Sequence, residues 1–148
     1  MAEVTTFRKQ LILTSFLVLA FSPTIIYLEI LTKPFWRIYI EELFGRFIPL
    51  TIVYLTYPKG RLIDRIVVGI VAGLTFGLVE IAVKTDTLGV FSPLMFIPVA
   101  YVHCVNGMIA SLIIGESIEN KWWSLLPLGF IIPAFWHSLY NVGLVGFV

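Results

Sequence analysis

At 148 residues and 16.7 kDa, the chain is 59% apolar and only 13% charged, against about 45–50% and about 25% for an ordinary soluble domain, which excludes an ordinary soluble globule. Ten Lys and Arg against nine Asp and Glu leave a net charge of +1, so there is no basic field to hold nucleic acid and no acidic field to gather cations. The lone cysteine, Cys104, excludes an intrachain disulfide and a Cys-rich metal cage.

A helix needs about 20 mostly apolar residues to cross the hydrocarbon layer of a bilayer. Windows of that kind fall at about 10–31, 36–57, 63–83, 93–114 and 123–147, and predict an all-α integral membrane protein, one compact bundle of about five transmembrane helices in a single domain. The first follows Arg8 and Lys9 but is too long for a signal peptide and reads as a retained helix, with Glu29 near its end. Thr32-Lys33-Pro34 separates it from the second, which carries Glu41, Glu42 and Arg46. After Pro58-Lys59-Gly60-Arg61 comes the third, with Glu80 and with Gly69, Gly73 and Gly77 every four residues, a stripe that lets a neighbouring helix approach closely. Lys84-Thr85-Asp86 and Gly89 mark the next break, and the fourth window holds His103 and Pro98. Gly115-Glu116 to Lys121 marks the last, and the fifth window contains Pro127, Pro133, His137 and Asn141.

Lys and Arg collect on one side (Arg8, Lys9, Lys59, Arg61, Arg65, Lys121) over the other (Lys33, Arg37, Lys84), which places the amino terminus in the cytoplasm and the carboxyl terminus outside, in the cell membrane. Ionisable groups within spans cost about 2.5–3.5 kcal/mol each at a helix centre on insertion scales and are functional-site candidates by default. With successive helices alternating in direction and a rise of 1.5 Å per residue, Glu41, Glu42, Glu80, His103, His137 and Asn141 all fall in the outer half. Glu42 and Arg46, His137 and Asn141, and Phe76 and Glu80 are each four apart and share a helix face. The inner halves read as almost purely apolar, which speaks against a transport lane.

The order Glu41-Glu42-Leu43-Phe44-Gly45-Arg46, Phe76-Gly77-Leu78-Val79-Glu80, His103, then His137-Ser138-Leu139-Tyr140-Asn141 resembles the superfamily of intramembrane proteases that contains the PrsW and CAAX-processing families. The first element is EExxxR, the CAAX-protease spacing, and Gly45 stands where PrsW members carry the lysine of EExxK; the second is FxxxE, similar to PrsW and unlike the FxxxH of CAAX proteases. The resemblance implies hydrolysis of a peptide bond in a membrane protein or membrane-anchored peptide, with Glu41, Glu42, Glu80, His103, His137 and Asn141 as the active constellation and Arg46 and Phe76 in support. In PrsW-like proteins the substrate is typically a single-span protein such as an anti-sigma factor, and in CAAX proteases a prenylated tail.

The residues themselves allow two chemistries. In one, Glu80, His103 and His137 hold Zn2+ while Glu41 or Glu42 deprotonates its water. In the other, a buried glutamate activates water directly and Asn141 with a histidine stabilises the oxyanion. In the second, Arg46 holds Glu42 ionised and leaves Glu41 free to work; the sequence does not decide which of the two is the base, and Glu41 is favoured because Glu42 shares a face with Arg46. The rival readings are a non-catalytic scaffold or partner-binding subunit, in which the polar cluster is a structural core, and a small proton-coupled transporter. Plainer roles stand beside these: Glu80 paired with Lys84 at i+4, Cys104 as a small core residue, and Trp36, Tyr57, Trp122 and Trp123 as interfacial anchors.

Overall fold

A computed structural model describes residues 2–31, 34–88 and 93–142. The described residues are almost wholly helical and include no strand. They form α1 (Ala2–Leu31), α2 (Pro34–Glu42), α3 (Ile48–Thr56), α4 (Leu62–Leu88), α5 (Pro93–Glu119) and α6 (Leu128–Asn141). A π-helical turn, Leu43–Phe47, joins α2 to α3 as one continuous rod, so the bundle has five rods. Three helices, Thr5–Leu28, Leu62–Val83 and Phe96–Glu119, are long and apolar enough to cross a membrane.

Several sequence boundaries shift. The helix α4 runs through Lys84-Thr85-Asp86 to Leu88, and α5 runs through Gly115 and Glu116 to Glu119. Gly115 is therefore no break. A Cβ there would sit 2.8 Å from Cδ and Nε of Arg65, so this glycine makes room for a buried arginine. The chain turns instead at Asn120 to Trp122, where Lys121 takes a φ of 59°, the left-handed conformation common after a helix end. The fifth rod starts at Leu128 after a short 3-10 turn, Trp123–Leu125, and Pro127 opens it without kinking it. Gly89, Lys33, residues 143–147 of the fifth window and the side chains of Glu29 and Lys84 lie outside the described residues.

The helices bury polar groups and expose apolar ones. On α4, Asp64, Arg65, Val68, Gly69, Ala72, Gly73, Phe76, Gly77 and Glu80 face inward at helical spacing, while Ile70, Leu74 and Leu78 are exposed. A soluble helix shows the reverse pattern on its outer face. The α4–α5 contact is the most extensive, because their glycines interlock: a Cβ on Gly69 would meet the Gly107 carbonyl oxygen at 2.4 Å, one on Gly73 that of His103 at 2.0 Å, and one on Gly107 that of Gly69 at 2.2 Å. The sequence stripe thus has a partner in Gly107, and only glycine allows this approach.

Around that pair, α1 packs on α4 and α6 on α5, while the rod of α2 and α3 lies between them. Its π turn touches α1, α4, α5 and α6. One helical irregularity is thus placed where every rod can reach it.

The half away from this turn is less apolar than the sequence suggests. Gln10, Thr14, Asp64, Arg65, Ser111 and Ser117 are all buried there. Gln10 donates to the carbonyls of Tyr57 and Lys59 at 2.8 and 3.3 Å, Tyr54 and Ser111 share a hydrogen bond at 2.6 Å, and Ser111 donates to the Arg65 carbonyl at 2.7 Å. Arg65 also pairs with Glu116 and Glu119, tying α4 to α5. The sequence missed this layer because each helix contributes only two of these buried residues, and Asp64 and Arg65 sit at the very start of α4, where they read as loop charges. Leu50, Val68, Ala72 and Ala110 are buried apolar members of the core shared by these helices.

Candidate active site

An α-helical turn would bring Arg46 back over Glu42 alone. The π turn adds a residue, so the guanidinium reaches both carboxylates: Nη1 donates to Glu42 Oε1 and Nη2 to Glu41 Oε1, each at 2.6 Å. Such single π turns inside α-helices are frequently found at functional sites. This corrects the expectation that Arg46 serves Glu42 and leaves Glu41 free. Arg46 is wholly buried, and Phe76 lies with its ring 5.0 Å from the guanidinium carbon, a cation–π contact.

Gly45 follows from the same packing. A Cβ there would lie 2.6 Å from Cε2 of Phe76, so no side chain fits between the π turn and that ring. The position that carries lysine in EExxK sequences is closed to any side chain here.

The two histidines are held in opposite tautomers. A guanidinium only donates, so Nδ1 of His103, 2.8 Å from Arg46 Nη2, must accept, and Nε2–H then donates to Glu80 Oε2 at 2.5 Å. Gly77 brings α4 close enough for this, since a Cβ there would meet His103 Cδ2 at 2.9 Å. Glu80 is buried and pairs with His103, whatever its spacing to Lys84.

His137 is the converse. Glu42 Oε1 already accepts from Arg46 and, at 2.7 Å, from Asn106 Nδ2, so it accepts again from His137 Nδ1–H at 2.9 Å. The Nε2 of His137 is left as the ring's remaining lone pair. The two imidazoles meet edge to face, with ring centroids 5.5 Å apart. Asn106 is a residue the sequence reading missed. Its signal was its position one turn after His103 on an otherwise apolar face.

These groups border a cavity of about 650 Å³. Glu41, Glu80, His103, His137, Ser138 and Asn141 line it, with Arg37, Tyr39 and Tyr140 among its other walls. Its volume is within the roughly 300–1,000 Å³ usual for a ligand pocket. Glu42, Arg46 and Phe76 stand behind the wall. Asn141 is exposed, one turn beyond His137 on the same face of α6. All six residues expected at the site are thus brought together, five of them buried.

No family model, curated protein or solved structure matches the chain.

The donor chemistry bears on a metal. Among the described residues, ligand atoms of Glu41, Glu42 and His137, and of Glu41, Glu80 and His103, lie within 4.8 Å of one another. Both groups run through Glu41, and both already surround the guanidinium. The set expected from the sequence, Glu80, His103 and His137, needs a lone pair from His103, whose Nδ1 is occupied by Arg46 and whose Nε2 carries a proton. A metal at Glu80, His103 and His137 would therefore need His103 to give up its contact with Arg46 or with Glu80. Cys104 is half-buried on α5, and its Sγ faces the Ile70 carbonyl oxygen at 3.8 Å.

Proposed function

We propose that the chain is a five-span integral membrane protein, amino terminus in the cytoplasm, acting as an intramembrane endopeptidase of the PrsW and CAAX-protease type. The observation that carries this reading is the convergence of Glu41, Glu42, Arg46, Glu80, His103 and His137 around one cavity in a bundle whose outer surface is apolar. Burying that many ionisable groups without a use is costly. The substrate is a membrane protein or membrane-anchored peptide, whose segment near the outer face enters the cavity.

The chemistry we favour uses no metal, because Arg46 already occupies the cation's place. Glu41, on the cavity wall, takes a proton from water as the hydroxide adds to the scissile carbonyl carbon. The Asn141 amide donates to the oxyanion. When the C–N bond breaks, Glu41 passes that proton to the leaving amine nitrogen, whose N–H is held by the His137 Nε2 lone pair. Glu42, fixed by three donors, orients His137, and Glu80 orients His103. Zinc at Glu80, His103 and His137 is the alternative, and requires His103 to release Arg46.

The test is cleavage of a single-span membrane protein in proteoliposomes. Glu41→Gln and His137→Gln are expected to lower the rate at least about 100-fold, the scale of general acid–base catalysis, in protein that retains its helix content by circular dichroism. Wild-type activity is expected to survive exhaustive chelation, whereas reversible loss would favour the zinc reading. The scaffold reading draws on one observation, the saturation of Glu42 Oε1 by three donors. It predicts no cleavage by any form and loss of stability in the variants.

A further inference from the structure

A second cavity, of about 280 Å³, lies at the end of the bundle away from the candidate active site, with Thr6, Phe7, Lys59, Arg61, Asp64 and Glu119 in its walls. Its depth follows from the apolar helices. Thr6 and Phe7 stand at the start of the apolar stretch Thr5–Leu28, Asp64 at the start of Leu62–Val83, and Glu119 at the end of Phe96–Glu119. The cavity therefore sits where three helices leave the apolar layer, which is the level of lipid headgroups. Leu62 and Ile63, between the wall residues Arg61 and Asp64 in the chain, expose apolar side chains.

The charges on its walls do not cancel locally. Arg61 and Asp64 neutralise each other through two hydrogen bonds, Nε to Oδ2 and Nη2 to Oδ1, each at 3.0 Å. The single guanidinium of Arg65, by contrast, faces two carboxylates, those of Glu116 and Glu119. Glu116 also accepts from the Asn120 amide at 2.8 Å and stays outside the cavity walls. Glu119 is in the wall, and only its Oε2 accepts from a described residue. One negative charge is thus left at Glu119. Lys59 is exposed, and its ammonium pairs with no carboxylate among the described residues, which leaves one positive charge on a separate element.

We propose that this cavity holds the headgroup of a membrane phospholipid of the phosphoethanolamine type, its phosphate toward Lys59 and its primary ammonium toward Glu119. One uncompensated charge of each sign matches a zwitterion. A purely anionic headgroup meets the Glu119 carboxylate unopposed, and a quaternary ammonium brings charge but no N–H to donate. The volume is close to the lower bound of about 300 Å³ for small-molecule sites, which suits a headgroup whose acyl chains stay outside in the lipid. The inference rests on the membrane reading of the bundle and is independent of peptide cleavage.

The test is native mass spectrometry of the full chain released from detergent micelles that contain equal amounts of phosphatidylethanolamine, phosphatidylcholine and phosphatidylglycerol with matched acyl chains. The wild type is expected to retain one phosphatidylethanolamine at least about 10-fold over either competitor, the factor that one charge-assisted hydrogen bond supplies. Glu119→Gln is expected to bring phosphatidylethanolamine down to the level of phosphatidylcholine. Lys59→Ala is expected to lower retention of both at least about 10-fold and to keep the preference between them. The Lys59 side chain ties no helix to another, so this variant decides the matter even where Glu119→Gln, which loosens Arg65, fails to fold. Equal retention of the three lipids, preference for phosphatidylglycerol, or unchanged retention in Lys59→Ala would each overturn the proposal. Soluble glycerophosphoethanolamine at the lipid's concentration is expected to leave the lipid in place, and full displacement would overturn the lipid assignment in favour of a soluble phosphate ester.

Discussion

Arg46 and Gly45 show what single residues contribute. Arg46 bridges two carboxylates that are both buried, and its planar fork matches them with two separate nitrogens. Lysine offers one charge on a flexible stem and cannot hold Glu41, Glu42 and His103 at once. Arg46→Lys is expected to lower cleavage by at least about 10-fold while retaining helix content, whereas Arg46→Met, which leaves the carboxylates without their cation, is expected to cost about 3–5 kcal/mol. Circular dichroism and thermal melting in detergent separate the two. Gly45→Ala presses a methyl group against Phe76, and overpacking of this kind costs about 1–3 kcal/mol. If the ring is the cause, Phe76→Leu in the same chain is expected to recover part of that loss, and additive effects would show the clash is elsewhere.

The interlocked crossing of α4 and α5 sets the height of His103 against Glu80. A Cβ at Gly73 would lie 2.0 Å from the His103 carbonyl oxygen, so Gly73→Ala must push the helices apart. It is expected to lower stability by about 1–3 kcal/mol or more and to reduce cleavage by displacing His103. Gly60→Ala, with its nearest neighbour at 3.5 Å, is the control and is expected to stay within about 0.5 kcal/mol of wild type. The glycine stripe was legible in the sequence because its period is that of the helix. The π turn was not, because no local pattern marks it: Leu43–Phe47 reads as ordinary helix, and only the tertiary demand that Arg46 reach two carboxylates while the turn meets four neighbouring helices reveals it. For the same reason the sequence assigned Arg46 to Glu42 alone. Asn106 escaped notice because it carries no charge, and its meaning lies in Glu42, 64 positions away in the chain. Convergence of the other six was legible because depth follows from counting residues along alternating helices.

At the scale of the whole molecule, the polar cluster and the second polar layer lie toward opposite ends of the bundle. The cluster lies toward the end bearing Arg37, Val99 and Val142, and the layer of Gln10, Asp64, Arg65 and Glu116 toward the end bearing Lys59 and Arg61. The basic loop residues gather at the second end, which the positive-inside bias assigns to the cytoplasm. On the proposed function, topology decides from which side a substrate would reach the cavity. In a Cys104→Ser background, cysteines placed one at a time at Val142 and Lys59 report this, since both positions are exposed. A membrane-impermeant maleimide added to intact cells is expected to label Val142→Cys, and to label Lys59→Cys only after the membrane is opened. The opposite pattern would turn the molecule over, put the cavity within reach of cytoplasmic segments, and replace substrates exposed outside the cell with those held at the inner face.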